Sequence, residues 1–231
     1  MELMFYGCSS LISVDFSNFN TENVYDIKHL FYDCSSLISV DLSKFNTQNV
    51  LYMDQMFVHC DSLKSVDLSN LNTGKVKSMS YMFGYSKSIE SINLSNLNNL
   101  NLENANGMFH SCSHLTSINL TNFKAPNIKN IEQIFYLCES LQSLDLSGFN
   151  TSKVVSFDGI FLGCYKLTSI DISNFIADNA VTFFRMFALC QELTSIDISH
   201  FNFSKINSVN NMFDGCNKLK IIDISNMKTD N

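Results

Sequence analysis

Cysteines stand at Cys8, Cys34, Cys60, Cys112, Cys138, Cys164, Cys190 and Cys216, a spacing of 26 residues with one step filled by Ser86. Three residues before each of these nine positions lies a phenylalanine: Phe5, Phe31, Phe57, Phe83, Phe109, Phe135, Phe161, Phe187 and Phe213. A fixed period of this size marks supersecondary units that cannot bury an apolar face alone, so neighbours must stack around one continuous core. The register holds from Met1 to Asn231, and the chain reads as a single solenoid of about nine 26-residue repeats without a linker. Its first and last units start and stop in mid-repeat with no polar cap. We therefore expect a fragment lacking both caps, whose open ends would self-associate end to end.

Charge is patterned rather than diffuse. Acidic residues exceed basic ones by 22 to 15, and the difference of seven equals the aspartates of one repeat column. Without a Lys/Arg cluster the chain is not expected to bind nucleic acid or to insert into a membrane. The apolar opening MELMFYGCSSLISV resembles a leader, but its letters recur in register deep in the chain, as in Leu162-Gly163-Cys164-Tyr165, so it is repeat.

Within a unit, Val40 and Leu42 alternate with Ser39, Asp41 and Ser43, the period of two of a strand with one buried face. Asn46-Thr47, repeated as Asn20-Thr21, Asn72-Thr73 and Asn150-Thr151, signals a turn. Val50, Met53, Met56, Phe57 and Cys60 then follow helical spacing, sufficient for about two turns of α or 3-10 helix. The expectation is an α/β repeat solenoid, a right-handed leucine-rich-repeat coil with a parallel β ladder on one face and short helices on the other. Because packed helices need ~8–10 Å and strands ~4.8 Å, the strand face should be concave.

The unit Met56-Phe57-Val58-His59-Cys60-Asp61-Ser62-Leu63-Lys64-Ser65-Val66-Asp67-Leu68-Ser69-Asn70-Leu71-Asn72-Thr73 resembles the MFxxCxxLxxLDLSxFxT repeat of the BspA-like leucine-rich-repeat surface proteins. The resemblance spans essentially all nine units and departs most in the fourth and fifth, at Ser86, Ile89, Asn93, Asn99, Leu100 and Asn119. It implies a noncatalytic protein-binding or adhesion module, exposed on the cell surface or extracellular, with a protein or surface ligand as partner. The alternative is a structural or scaffolding component of a larger assembly, within the cell.

The cysteine column reads as buried free thiols, since stacked equivalent positions point their side chains in parallel and a spacing of 26 does not suit a zinc site. No metal or cofactor is expected. His110-x-Cys112-x-His114 is a local cluster, but neither histidine recurs in other units. The five histidines occupy five different repeat positions and should scatter, and no nucleophile, base and orienting group share a face, so no catalytic residue is assigned. Four acceptor patterns for N-glycosylation, at Asn93, Asn119, Asn150 and Asn202, are expected by chance in so Asn-, Ser- and Thr-rich a chain.

The candidate ligand-binding residues are Asp15, Asp41, Asp67, Asp145, Asp171, Asp197 and Asp223, on the outward side of the strands, with Asn93 and Asn119 between the two groups. Carboxylates ~4.8 Å apart repel by roughly 0.9 kcal/mol per adjacent pair even in bulk water. Either flanking serines and backbone amides absorb each charge, or the file forms a groove for cations or a basic ligand.

Overall fold

The computed structural model describes residues 1–225. Successive coils stack with equivalent residues aligned one period apart. Five coils carry three-residue strands: β1 (Ser65–Asp67), β2 (Ser91–Asn93), β3 (Ser117–Asn119), β4 (Ser195–Asp197) and β5 (Ile221–Asp223). β1, β2 and β3 pair in parallel, Ser65 beside Ser91 beside Ser117, and β4 pairs with β5. The expected single ladder is thus two short sheets among the described residues, and between Asn119 and Ser195 the coils are joined by isolated parallel bridges such as Ala125 with Phe149 and Ser156 with Thr182.

Among the described residues the expected helices do not form. In their place each coil makes consecutive four-residue turns. Leu30 N–H donates to Ile27 C=O at 3.3 Å and Cys34 N–H to Phe31 C=O at 3.1 Å, with the third residues His29 and Asp33 at φ 55° and 57°. A left-handed third residue is the mark of a type II turn. The same two positions are left-handed in coil after coil, from Leu3 and Gly7 through Tyr81 and Tyr85 to Asn211 and Gly215. The helical spacing misled because the first and fourth residues of successive turns both point inward. Met53, Met56, Phe57 and Cys60 are such corners, and their offsets match those of a helix face.

These turns bind the coils together. Ile27, His29, Phe31 and Asp33 donate to the carbonyls of Tyr52, Asp54, Met56 and Val58 at 2.8–3.1 Å, each bond reaching 25 residues ahead. The N–H groups of Leu30, Tyr32 and Cys34 close the turns and that of Lys28 donates to Asp26 Oδ1 at 2.9 Å, which satisfies a segment that must be folded tightly against a core. Curvature from helix thickness accordingly disappears. Along the phenylalanine column ring centroids are 5.4–5.8 Å apart, within about 1 Å of strand spacing.

The core is built of columns. Rings from Phe5 to Phe213 stack nearly parallel, and Phe31 to Phe187 are fully buried. Beside them the thiols of Cys34, Cys60, Cys112, Cys138, Cys164 and Cys190 are buried and free. Each donates to the phenylalanine carbonyl 29 residues earlier, as Cys138 Sγ does to Phe109 O at 3.2 Å. Ser86 holds the same place, its hydroxyl donating to Phe57 O and accepting from Cys60 N–H at 3.0 Å. Burial pushes the thiols up, Cys34 to about 11 and Cys164 to about 12.

Candidate functional site

All seven candidate aspartates lie exposed at the ends of the strand segments. Each folds back on its own chain. Oδ1 of Asp15, Asp41, Asp67, Asp145, Asp171, Asp197 and Asp223 accepts the backbone N–H of the serine two residues on, at 2.8–2.9 Å. Asn93 and Asn119 do the same with Ser95 and Thr121 at 3.1 and 3.0 Å. This is the Asx turn, which bends the chain out of the strand and favours Asp or Asn on local grounds. Asn93 also donates its Nδ2 to Asp67 Oδ1 at 3.0 Å, so the break in the acidic file is bridged by an amide.

The turn explains how the file tolerates its charge. The backbone N–H of the following serine, and then its hydroxyl, holds the carboxyls of Asp15, Asp41, Asp145 and Asp171 below the ordinary range. For Asp67 and Asp197 the serine hydroxyl is the larger cause and the N–H follows. Between the strand segments the surface is a shallow groove, lined in its middle by Ser65, Asp67, Ser91, Asn93, Ser117 and Asn119.

Among the described residues no three His, Cys, Asp or Glu side chains gather as an ion would require. His110, Cys112 and His114 diverge. His110 is 8% exposed, Cys112 Sγ faces Phe83 O at 3.1 Å, and His114 Nδ1 donates to Lys87 O at 2.8 Å.

The histidines scatter only in part: His114 and His200 lie apart, on Lys87 O and Ile172 O, while the other three come together. His29, His59 and His110 meet on the turn face among tyrosines, in a file from Tyr6 to Tyr136. Tyr6 and Tyr32 stack at 4.8 Å, His29 lies 5.7 Å from Tyr32, and Tyr32 meets His59 at 6.2 Å and 79°. His59 stacks on Tyr85 at 5.1 Å, Tyr85 meets His110 at 4.9 Å, and His110 stacks on Tyr136 at 4.4 Å. Tyr81 crosses Gly107, where a Cβ would lie 2.6 Å from its ring, and its hydroxyl donates to Gln133 Oε1 at 3.3 Å.

Sequence spacing hid this surface because three different repeat positions feed it, and only the two left-handed turns bring them together. His29, His59, Tyr81 and Tyr85 occupy left-handed positions at φ 51–62°, which cost a bulky side chain roughly 1–2 kcal/mol. Gly7, Gly163 and Gly215 stand in the column of His59 and Tyr85 in other coils. Ring stacking returns about 0.5–1.5 kcal/mol per pair, so strain and stacking nearly cancel and stability alone does not account for the rings.

The family model described as "Mycoplasma protein of unknown function, DUF285" matches residues 1–123 and again residues 103–227. The chain belongs to this family. No curated protein matches this DUF285 member. Among solved structures, it is similar to the T. pallidum leucine-rich repeat protein, at 23% identity over 82% of this chain and 68% of that one, with a TM-score of 0.41. A leucine-rich repeat protein from Bacteroides ovatus matches at 15% identity over 99% and 77%, TM-score 0.34. A leucine rich cell surface protein from Faecalibacterium prausnitzii matches at 18% over 94% and 68%, TM-score 0.31. At such scores the likeness is a loose one of repeat architecture.

Proposed function

We propose that this DUF285 member is a noncatalytic binding or adhesion module that meets a protein or surface ligand along its strand face, on the cell surface. The observation that carries this reading is the repetition of one exposed Ser-Asp-Ser motif in register along the solenoid, each carboxylate fixed by the same turn. Because the turn holds Oδ1, the direction of the carboxylate is set before binding. A file of fixed charges offers an extended ligand many weak contacts rather than one pocket. The resemblance to BspA-like surface proteins supports the location. Among the described residues no helix is long and apolar enough to cross a membrane.

The test uses labelled protein on intact host cells, read by flow cytometry, with parent and the triple variant D145N/D171N/D197N. The amide keeps the Asx turn, as Asn93 and Asn119 demonstrate, so the fold should persist while binding falls. Binding to cells should also weaken with added salt, because screening sets in over ~8 Å at physiological ionic strength. Equal cell binding by parent and triple variant would assign the aspartates to turn formation only, the reading that fits a scaffold.

A further inference from the structure

The ring file on the turn face is a second surface, independent of the aspartates. Its rings keep exposed edges, with Tyr6 51% and Tyr85 36% accessible. Its joints are unequal. Stacked pairs alternate with steep ones, such as Tyr32 against His59 at 79° and His29 against Tyr32 at 54°. At a steep joint one ring's face is not covered by its neighbour's face.

The rim is acidic. Asp33 holds the position of His59 one coil earlier, Asp61 follows His59 by two residues, and Glu2 and Glu132 flank the columns of His29 and Tyr81. Against them stand Lys28, tied to Asp26 at 3.3 Å, and Lys87. Carboxylates beside open aromatic faces suit a planar cation. Guanidinium stacks on a ring while its N–H fork pairs with a carboxylate, which a compact ammonium does less well. Five coil steps of ~4.8 Å make a file of ~24 Å, the reach of about seven extended residues.

We propose that the turn face from Tyr6 to Tyr136 docks an arginine-bearing, extended segment of a partner protein. At the same left-handed positions other coils carry glycine, leucine, aspartate, serine or glutamine, so the turn itself does not call for a ring, and the run of rings is a property of this stretch of surface.

The experiment is fluorescence polarisation with a short labelled peptide alternating arginine and glycine, beside lysine–glycine and glutamate–glycine counterparts, on the full chain. The arginine peptide should bind, the lysine peptide about tenfold more weakly and the glutamate peptide not at all. His59→Gly combined with Tyr85→Gly should weaken the arginine peptide about tenfold while leaving the urea midpoint unchanged or raised. If that pair fails to fold, His59→Asn with Tyr85→Asn reads the same surface, since Asn tolerates the left-handed conformation. The triple variant D145N/D171N/D197N should bind the peptide like the parent, which separates this surface from the strand face. Absence of arginine-peptide binding, equal affinity for arginine and lysine, undiminished affinity in the folded ring variants, or loss of binding in the strand-face variant would each overturn the proposal.

Discussion

Replacing Cys138 tests whether the cysteine column is a stack of reduced, hydrogen-bonded thiols. Cys138 is fully buried and its Sγ donates to Phe109 O at 3.2 Å. That carbonyl also accepts Cys112 N–H at 3.1 Å, so deleting the thiol does not orphan it. Cys138→Ala therefore loses one weak hydrogen bond and the packing of a single sulfur, together about 1–2 kcal/mol. Cys138→Ser keeps a donor toward Phe109 O and adds an acceptor for Cys112 N–H, by analogy with Ser86. Desolvation of the hydroxyl, roughly 1–3 kcal/mol, is then largely offset by these bonds, leaving a cost of about 1 kcal/mol. Phe135→Ala removes a ring between Phe109 at 5.4 Å and Phe161 at 5.8 Å, and should cost about 3–5 kcal/mol. Urea denaturation with thiol titration checks the order. One thiol, the exposed Cys8, should react quickly in the native state, the six buried ones should be protected, and all eight should titrate after unfolding. Reductant should leave the midpoint unchanged. Native loss of titratable thiols with a reductant-sensitive midpoint, or a serine variant as damaged as Phe135→Ala, would refute the reasoning.

Asn99 is fully buried with neither amide atom hydrogen-bonded, where Thr47 and Thr151 donate to the carbonyls of Asn72 and Ile176 at 2.9 and 3.0 Å. Asn99→Thr exchanges two unpaired buried amide atoms for one hydroxyl and should raise stability by about 1 kcal/mol, read by urea midpoint. A Cβ on Gly148 would lie 2.0 Å from Phe123 O, so Gly148→Ala should destabilise by about 1–3 kcal/mol, and an unshifted midpoint would contradict this packing. Burial holds His110 below its ordinary range. Its contribution is complete above the unfolded pKa of about 6.5 and is lost as pH falls below it, because the unfolded chain takes the proton first. Lowering pH from 7 toward 5 should reduce the melting temperature of the parent, and less so that of His110→Gln. The depressed aspartates work lower: their contribution is present above an unfolded pKa of about 3.9 and disappears as pH falls through the folded values. Acid unfolding of D145N/D171N/D197N should therefore be shallower than that of the parent.

The period and the identity of the core columns were legible because each is a one-dimensional property. Phe31 and Cys34 recur at fixed distance whatever the backbone does between them. The local backbone was not legible from apolar spacing, since Met53, Met56, Phe57 and Cys60 serve equally as a helix face or as corners of linked turns. A discriminating signal was present in the residues between. Gly7, Gly107, Gly159, Gly163 and Gly215 fall at just two repeat positions, four residues apart, and both prove left-handed. Glycine at those places is expected of type II turns and is unfavourable inside a helix. The aspartates are exposed, as alternation along a strand implies, but their Asx turns depend on where the strand ends, which alternation alone does not show. The ring file required the turns themselves.

The two faces of the solenoid consequently answer to different constraints. On the turn side, four coil-to-coil bonds join Ile27, His29, Phe31 and Asp33 to the next coil, and equivalent bonds recur from Leu3 to Leu189. On the strand side, among the described residues, strand ladders form at three junctions, β1 with β2, β2 with β3 and β4 with β5, and other coils are joined there by single bonds such as Ile38 N–H to Ile12 C=O at 3.0 Å. Cohesion therefore resides in the backbone of the turns and in the phenylalanine and cysteine columns beneath them. Side chains at the left-handed positions point away from that core and are free to differ from coil to coil, which is how glycine, tyrosine, histidine and leucine share one column. The aspartates are less free, because each closes a turn with its own serine. Variation thus concentrates on the turn face, where coils one to six carry rings and the later coils carry Gly163, Leu189 and Gly215 instead. A uniform scaffold with one face held constant by local hydrogen bonding and the other open to substitution can alter what it binds without altering how it folds.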